Sequence, residues 1–134
     1  MRKDLFARFG NFDENLPVCE DYDLWLRILT EESVGFMNDK LIYKYGGDHE
    51  QLSKSQWGIN RFRVYSMNKI VSELDLSDEK KTALIAAALK KLHILEAGDV
   101  KRSNSDFVKK ILMLKEKISN GDSTRTDAEF LLRR

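Results

Sequence analysis

The chain has 134 residues, with 23 Lys and Arg against 22 Asp and Glu, a formal net charge of +1. That length suffices for one domain with its own core, and the charge balance excludes the global basic field that drives nucleic-acid binding, so no nucleic acid is expected as a partner. A single cysteine, Cys19, excludes an internal disulfide, and no apolar run approaches the roughly 20 residues of a membrane-crossing helix, which together fit a cytoplasmic protein.

Pro17 and five of the seven glycines fall in the first 58 residues, so irregular structure is expected there and helices beyond. Residues 2–9 carry Leu5, Phe6 and Phe9 at helical spacing and read as a short helix stopped by Gly10. NFDENLP reads as a loop. From Glu20, EDYDLWLRILTEE reads as a helix with apolar residues on more than one face, which predicts that it is well buried. Two short β-prone runs, Val34 to Met37 and Leu41 to Tyr45, flank Asn38-Asp39 and predict a small hairpin.

A polar loop, GDHEQLSKSQWG, leads to a helix over about Ile59 to Leu74, with Ile59, Phe62, Ile70, Val71 and Leu74 inward. Ser77-Asp78 caps the next helix, whose stripe is Leu84, Ile85, Ala88, Leu89, Leu92 and Leu95, with Gly98 as its end. Ser105 or Asp106 starts another, with Phe107, Ile111, Leu114 and Ile118 at helical spacing and Asn120-Gly121 closing it. The tail TRTDAEFLLRR reads as a frayed turn or two. The expected fold class is mainly α (α+β): helices with one small β-hairpin and a C-terminal antiparallel helical region. An N-terminal segment, 1–58, and a helical region, 59–134, pack as one compact unit.

Glu20, Asp21 and Asp23 place three carboxylates within four residues at a helix start, beside Trp25 and after a proline-containing loop. Such a mixture can hold a general base, since the helix terminus favours ionised carboxylates while like charge and desolvation oppose them. Acidic first turns also stabilise ordinary helices, and Asp23 with Arg27 is an i,i+4 pair worth a few tenths of a kcal/mol. Cys19 directly precedes the pair, but no histidine is placed to activate it, and adjacent carboxylates make a thiol less reactive at neutral pH. His93 lies in an apolar stripe and reads as a partly buried core histidine. Trp57, Arg61 and Arg63 could form an aromatic and cationic wall for sugar or phosphate, or simply pack a helix. A metal-dependent hydrolase built on Glu20, Asp21, Asp23 and His49 lacks any further convergent ligand.

The segment FARFGNFDENLPVCEDYDLWLR resembles the acceptor-side, C-terminal part of family 2 glycosyltransferases of the GT-A type. Arg2, Phe6, Gly10, Phe12, Asp13, Glu14, Leu16, Glu20, Asp21, Asp23, Leu24 and Arg27 stand at that family's spacing. The resemblance implies Asp21 as the base that deprotonates the acceptor hydroxyl, Glu20 as its acceptor-side neighbour, and Asp23 and Arg27 as supports of the helix. The later stretch from Tyr43 to Ser53 is a looser match, on which His49 is carried over as a metal-side residue and Gln51 as a substrate contact. Trp57 and Arg61 of the wall are the candidate substrate contacts, and a WG-x-x-RFR-like stretch in related sequences extends the resemblance to about residue 65.

What the resemblance implies is an inverting transfer from a nucleotide-sugar to a sugar or lipid-linked acceptor, with Mg or Mn in the full-length enzyme and none in the isolated chain. No Gly-rich phosphate loop or strand-helix alternation is present, so a partial GT-A fold lacking the nucleotide-binding α/β half is expected, inactive alone and membrane-associated only as part of a longer enzyme. The competing expectation is a non-catalytic helical interaction module. Self-association through the core face that the missing half would leave exposed is expected as well.

Overall fold

The computed structural model describes residues 3–43 and 56–133. In chain order the described elements are α1 (Lys3–Phe9), α2 (Glu20–Glu31), α3 (Asn60–Glu73), α4 (Asp78–Lys101), α5 (Ser105–Asn120) and a 3-10 helix (Thr126–Leu132). The mainly helical expectation holds. The hairpin and the α+β class do not, because no strand occurs among the described residues.

The physical reason lies in burial. Phe36, Ile42 and Tyr43 are 89%, 84% and 86% exposed, so the alternation of this stretch meets no sheet or core among the described residues on either face. An isolated two-stranded hairpin is marginal in water without such a surface to cover. Tyr45, which completes the second expected run, lies outside the described residues.

α3 is the hub. It packs against α2, α4 and the 3-10 helix, and it buries Arg61, Phe62 and every residue from 64 to 70. A helix surrounded on several sides must bury polar positions as well as apolar ones, and each such group then needs a partner. Ser66 Oγ donates to the Phe62 carbonyl at 3.1 Å, and Asn68 Nδ2 donates to the Thr124 carbonyl at 2.7 Å. Arg61 donates to the carbonyls of Trp57 and Arg133 at 3.1 and 2.8 Å. With Phe62, Val64 and Tyr65 of α3, the core gathers Leu16, Val18 and Cys19 from the loop, Leu92 and Leu95 from α4, Ile111, Leu114 and Ile118 from α5, and Ala128 and Leu131 from the 3-10 helix.

Two helix ends depart from expectation. α4 runs through Gly98 to Lys101; the Arg102 guanidinium folds back over Gly98, where a Cβ would stand 3.0 Å from its Nη2. The chain reverses later, at Ser103, in a left-handed conformation with φ 58. The C-terminal tail is not frayed: Ala128 and Leu131 are fully buried, and the bonds from Arg61 and Asn68, with one from Arg125 Nε to the Tyr65 hydroxyl at 2.9 Å, stitch it to α3.

The other starts and stops follow their signals. Ser77 Oγ accepts from the Lys80 N–H at 3.4 Å, and Gly121, at φ 76, closes α5. α1 buries no residue of its own and is held by Arg8, which pairs with Glu31 at 3.1 Å and with Glu32. Among the described residues no helix is long and apolar enough to cross a membrane.

Candidate functional site

The acidic turn of α2 is set by the residue before it. Cys19 takes the left-handed conformation, φ 67 and ψ 19, and its carbonyl accepts the first helical bond from the Asp23 N–H at 3.0 Å. For a residue with a Cβ that conformation costs about 1–2 kcal/mol. The turn buries Val18 and Cys19 in the core and leaves Asp21 facing out, with Glu20 partly exposed.

Successive α-helical residues advance by about 100°, so Asp21 and Asp23 point to nearly opposite sides. Asp23 is fully buried, with Leu24 and Ile28 on its side, whereas Asp21 shares its exposed side with Trp25 and Leu29, 41% and 40% exposed. Burial of this helix is therefore one-sided, not the all-round burial its composition suggested.

The buried side is a charge clamp. Asp23 pairs through Oδ2 with Arg27 Nε at 2.9 Å and through Oδ1 with Lys69 Nζ of α3 at 2.6 Å. Lys69 reaches on to Asp13 Oδ2 at 2.7 Å. Arg27 donates Nη2 to the Asn11 carbonyl at 2.8 Å and Nη1 to the Phe9 carbonyl. The guanidinium lies so close to Gly10 that a Cβ there would stand 3.3 Å from Nη1, and Gly10 itself has φ 77; a side chain at this position meets both crowding and a disfavoured backbone.

Burial pushes the Asp13 carboxyl up, but the Lys69 ammonium and the N–H groups of Asn15 outweigh it and hold it down at about 2. Asp13, Asp23, Lys69 and Arg27 thus anchor the loop to α2 and α3 with alternating charge. Burying ions is costly unless each is paired, and here each meets an opposite charge.

The open side is a pocket of about 390 Å³ lined by Cys19, Glu20, Asp21, Trp25, Ile59 and Arg63, with Val18 and Tyr22 completing it. Asp21 Oδ1 accepts from the Tyr22 N–H at 2.7 Å. The Arg63 guanidinium carbon sits 5.5 Å from the centre of the Tyr22 ring. Burial pushes the Cys19 thiol up; Arg63 opposes this, and Asp21 and Glu20 add to it. The sulfur is therefore a buried, protonated wall of the pocket rather than a nucleophile.

The sequence-predicted site residues separate. Glu20 and Asp21 come together with Arg63. Trp57 and Arg61 do not join them: Arg61 is 2% exposed, and its guanidinium lies 4.8 Å from the Trp57 ring centre. Trp57 also meets Arg102 at 4.7 Å and the Phe107 ring edge-on at 5.9 Å, so it faces α4 and α5. Arg61 and Arg63 are two residues apart on one helix and so point apart, which splits the expected wall. His49 and Gln51 lie outside the described residues. His93 is exposed, not part of the core.

Sequence reasoning missed Lys69, whose only signal was a lysine inside a helix that had to bury several faces. It also missed Trp25 as a pocket wall, although Asp21 and Trp25 stand at i,i+4 spacing. Among the described residues no three His, Cys, Asp or Glu side chains gather as a metal set. The described residues therefore offer no ligand set for the Mg or Mn ion that the resemblance implies.

A comparison of sequences relates the chain to a glycosyltransferase. It is 34% identical over 113 residues, 84% of its length, to an uncharacterized glycosyltransferase of Rickettsia typhi. The chain spans 30% of that relative's length. No family model matches the chain, and no solved structure matches it.

Proposed function

We propose that the chain is the acceptor-side part of a family 2, inverting glycosyltransferase, with Asp21 as the base that takes the proton of the acceptor hydroxyl. The observation that supports this reading is the two-sided α2. The motif carboxylate Asp23 is used up in the buried clamp, while Asp21 stands at the rim of a 390 Å³ pocket with no buried ion pair to satisfy.

In the reaction proposed, the acceptor O–H proton passes to an Asp21 oxygen as the acceptor oxygen bonds to the anomeric carbon of a nucleotide-sugar. The bond from that carbon to the diphosphate oxygen breaks on the opposite face, and the diphosphate leaves with the electron pair. Glu20, beside Asp21 on the same pocket, orients the acceptor. The donor and its divalent cation are held by a nucleotide-binding portion of the complete enzyme, consistent with the fraction of the relative that the chain spans.

The test is nucleoside-diphosphate release and sugar transfer by the full-length protein, measured over a panel of nucleotide-sugars. Asp21→Asn keeps the shape of the side chain and removes the base; it is expected to cut the transfer rate about 10²–10⁴-fold. An unchanged rate would remove Asp21 from the chemistry.

A further inference from the structure

Arg63 is the unusual group in the pocket. Its Nε is buried and has no hydrogen-bond partner among the described residues. Among the described residues its guanidinium meets the Tyr22 ring and the Cys19 thiol, a weak acceptor. No described carboxylate lies within ion-pair distance of it, although Glu20 and Asp21 line the same pocket. Lys91 of α4, itself partly buried, stands in the same field: burial lowers its proton affinity first, and the charges of Arg63 and Lys90 lower it further.

The contrast with the rest of the molecule gives this weight. Lys69 is buried against two carboxylates, Arg27 against a carboxylate and two carbonyls, and Arg61 against two carbonyls. Arg63 alone among these inward-facing cations has no such partner and opens on a cavity. A guanidinium fixed over an aromatic ring with spare donors is preorganised for a carboxylate or phosphate. Across the same pocket, the 41% exposed Trp25 offers an aromatic face one helical turn from Asp21.

Building on the acceptor-side reading above, we propose that this pocket takes an anionic saccharide, its carboxylate or phosphate paired with Arg63 and its sugar ring against Trp25. The two poles then have separate tasks. The cationic pole on α3 holds the acceptor's charge, and the acidic pole on α2 receives the hydroxyl. A neutral sugar leaves Arg63 unpaired, so the pocket discriminates by charge.

The experiment is an NMR titration of the isotope-labelled chain with methyl glucuronide, glucose 6-phosphate, methyl glucoside and inorganic phosphate. The Trp25 indole and Arg63 Nε resonances serve as reporters, and the Trp57 indole as control. Expected is binding of both acidic sugars about tenfold tighter than methyl glucoside, with shifts at Trp25 and Arg63 and none at Trp57. The tighter of the two names the anion.

Arg63→Gln should abolish the charge preference, and Trp25→Ala, at an exposed position, should weaken every sugar while keeping it. Equal affinity for methyl glucoside, or a preference that survives Arg63→Gln in a folded variant, overturns the proposal. So does inorganic phosphate binding as tightly as glucose 6-phosphate, since the ring then contributes nothing. Charge-selective binding by a full-length protein that transfers no sugar refutes the glycosyltransferase reading and leaves this one standing; transfer to neutral acceptors alone does the reverse.

Discussion

The two sides of α2 carry the same residue types to opposite ends. On one side Asp23 is fully enclosed and paired with Arg27 and Lys69, which extends to Asp13. On the other, two residues earlier, Asp21 faces a solvent-open pocket with Glu20, Trp25 and Arg63. One short acidic motif thus builds both a buried scaffold and the wall of an open pocket. A motif match therefore assigns no role by itself, and burial sorts the residues that hold from those free to act.

The comparison is broken most severely by removing the cation at its centre. Lys69→Met leaves Asp13 and Asp23 buried against each other without their ammonium, and a loss of about 3–5 kcal/mol in urea unfolding is expected. The loss should shrink as the pH is lowered, because protonation of Asp13 removes the charge that Lys69 had paired. A loss below about 1 kcal/mol at neutral pH, the range of exposed surface pairs, would show that the clamp is dispensable.

A smaller effect sharpens the same contrast through pH. Asp13 has its folded pKa depressed from 3.8 to about 2, so its contribution is fully present above pH 3.8 and is lost as the pH falls from there towards 2. The depression corresponds to about 2 kcal/mol. Asp127, held at about 2 by Lys117 and the N–H and hydroxyl of Thr124, adds a loss in the same window. Acid titration of stability in the parent and in Asp13→Asn measures the first contribution directly: the variant's curve should be flatter between pH 4 and 2 by about that amount. Parallel curves would contradict the assignment.

The helical half was legible because its information is periodic. Ile111, Leu114 and Ile118 recur at helical spacing and are all buried, as are Ala88, Leu92 and Leu95 of α4. What escaped was information carried by partners distant in sequence. Lys69 meets Asp13 across 56 residues, and Asn68 meets the carbonyl of Thr124 across 56. Nothing local to RFRVYSMNKIV marks these polar side chains as interior, and the tail's order depends on them.

The expected hairpin failed for the complementary reason. Alternation from Val34 to Tyr43 is a local pattern with no surface in the described structure to give it meaning, and Phe36 and Ile42 remain exposed. At the candidate site, the family spacing marked Glu20 and Asp21, but spacing cannot tell an outward carboxylate from the inward Asp23. Arg63 was visible only as one of three wall residues, and the two-residue offset from Arg61 was the available signal that they part.

The most direct measurement is urea unfolding of two variants that differ only in which side of α2 they touch. Asp23→Asn removes a charge from the buried clamp and is predicted to cost about 3 kcal/mol or more, whereas Asp21→Asn, on the open side, is predicted to stay within about 0.5 kcal/mol of the parent. Equal losses in the two variants would contradict the division of the motif into a scaffold side and an open side.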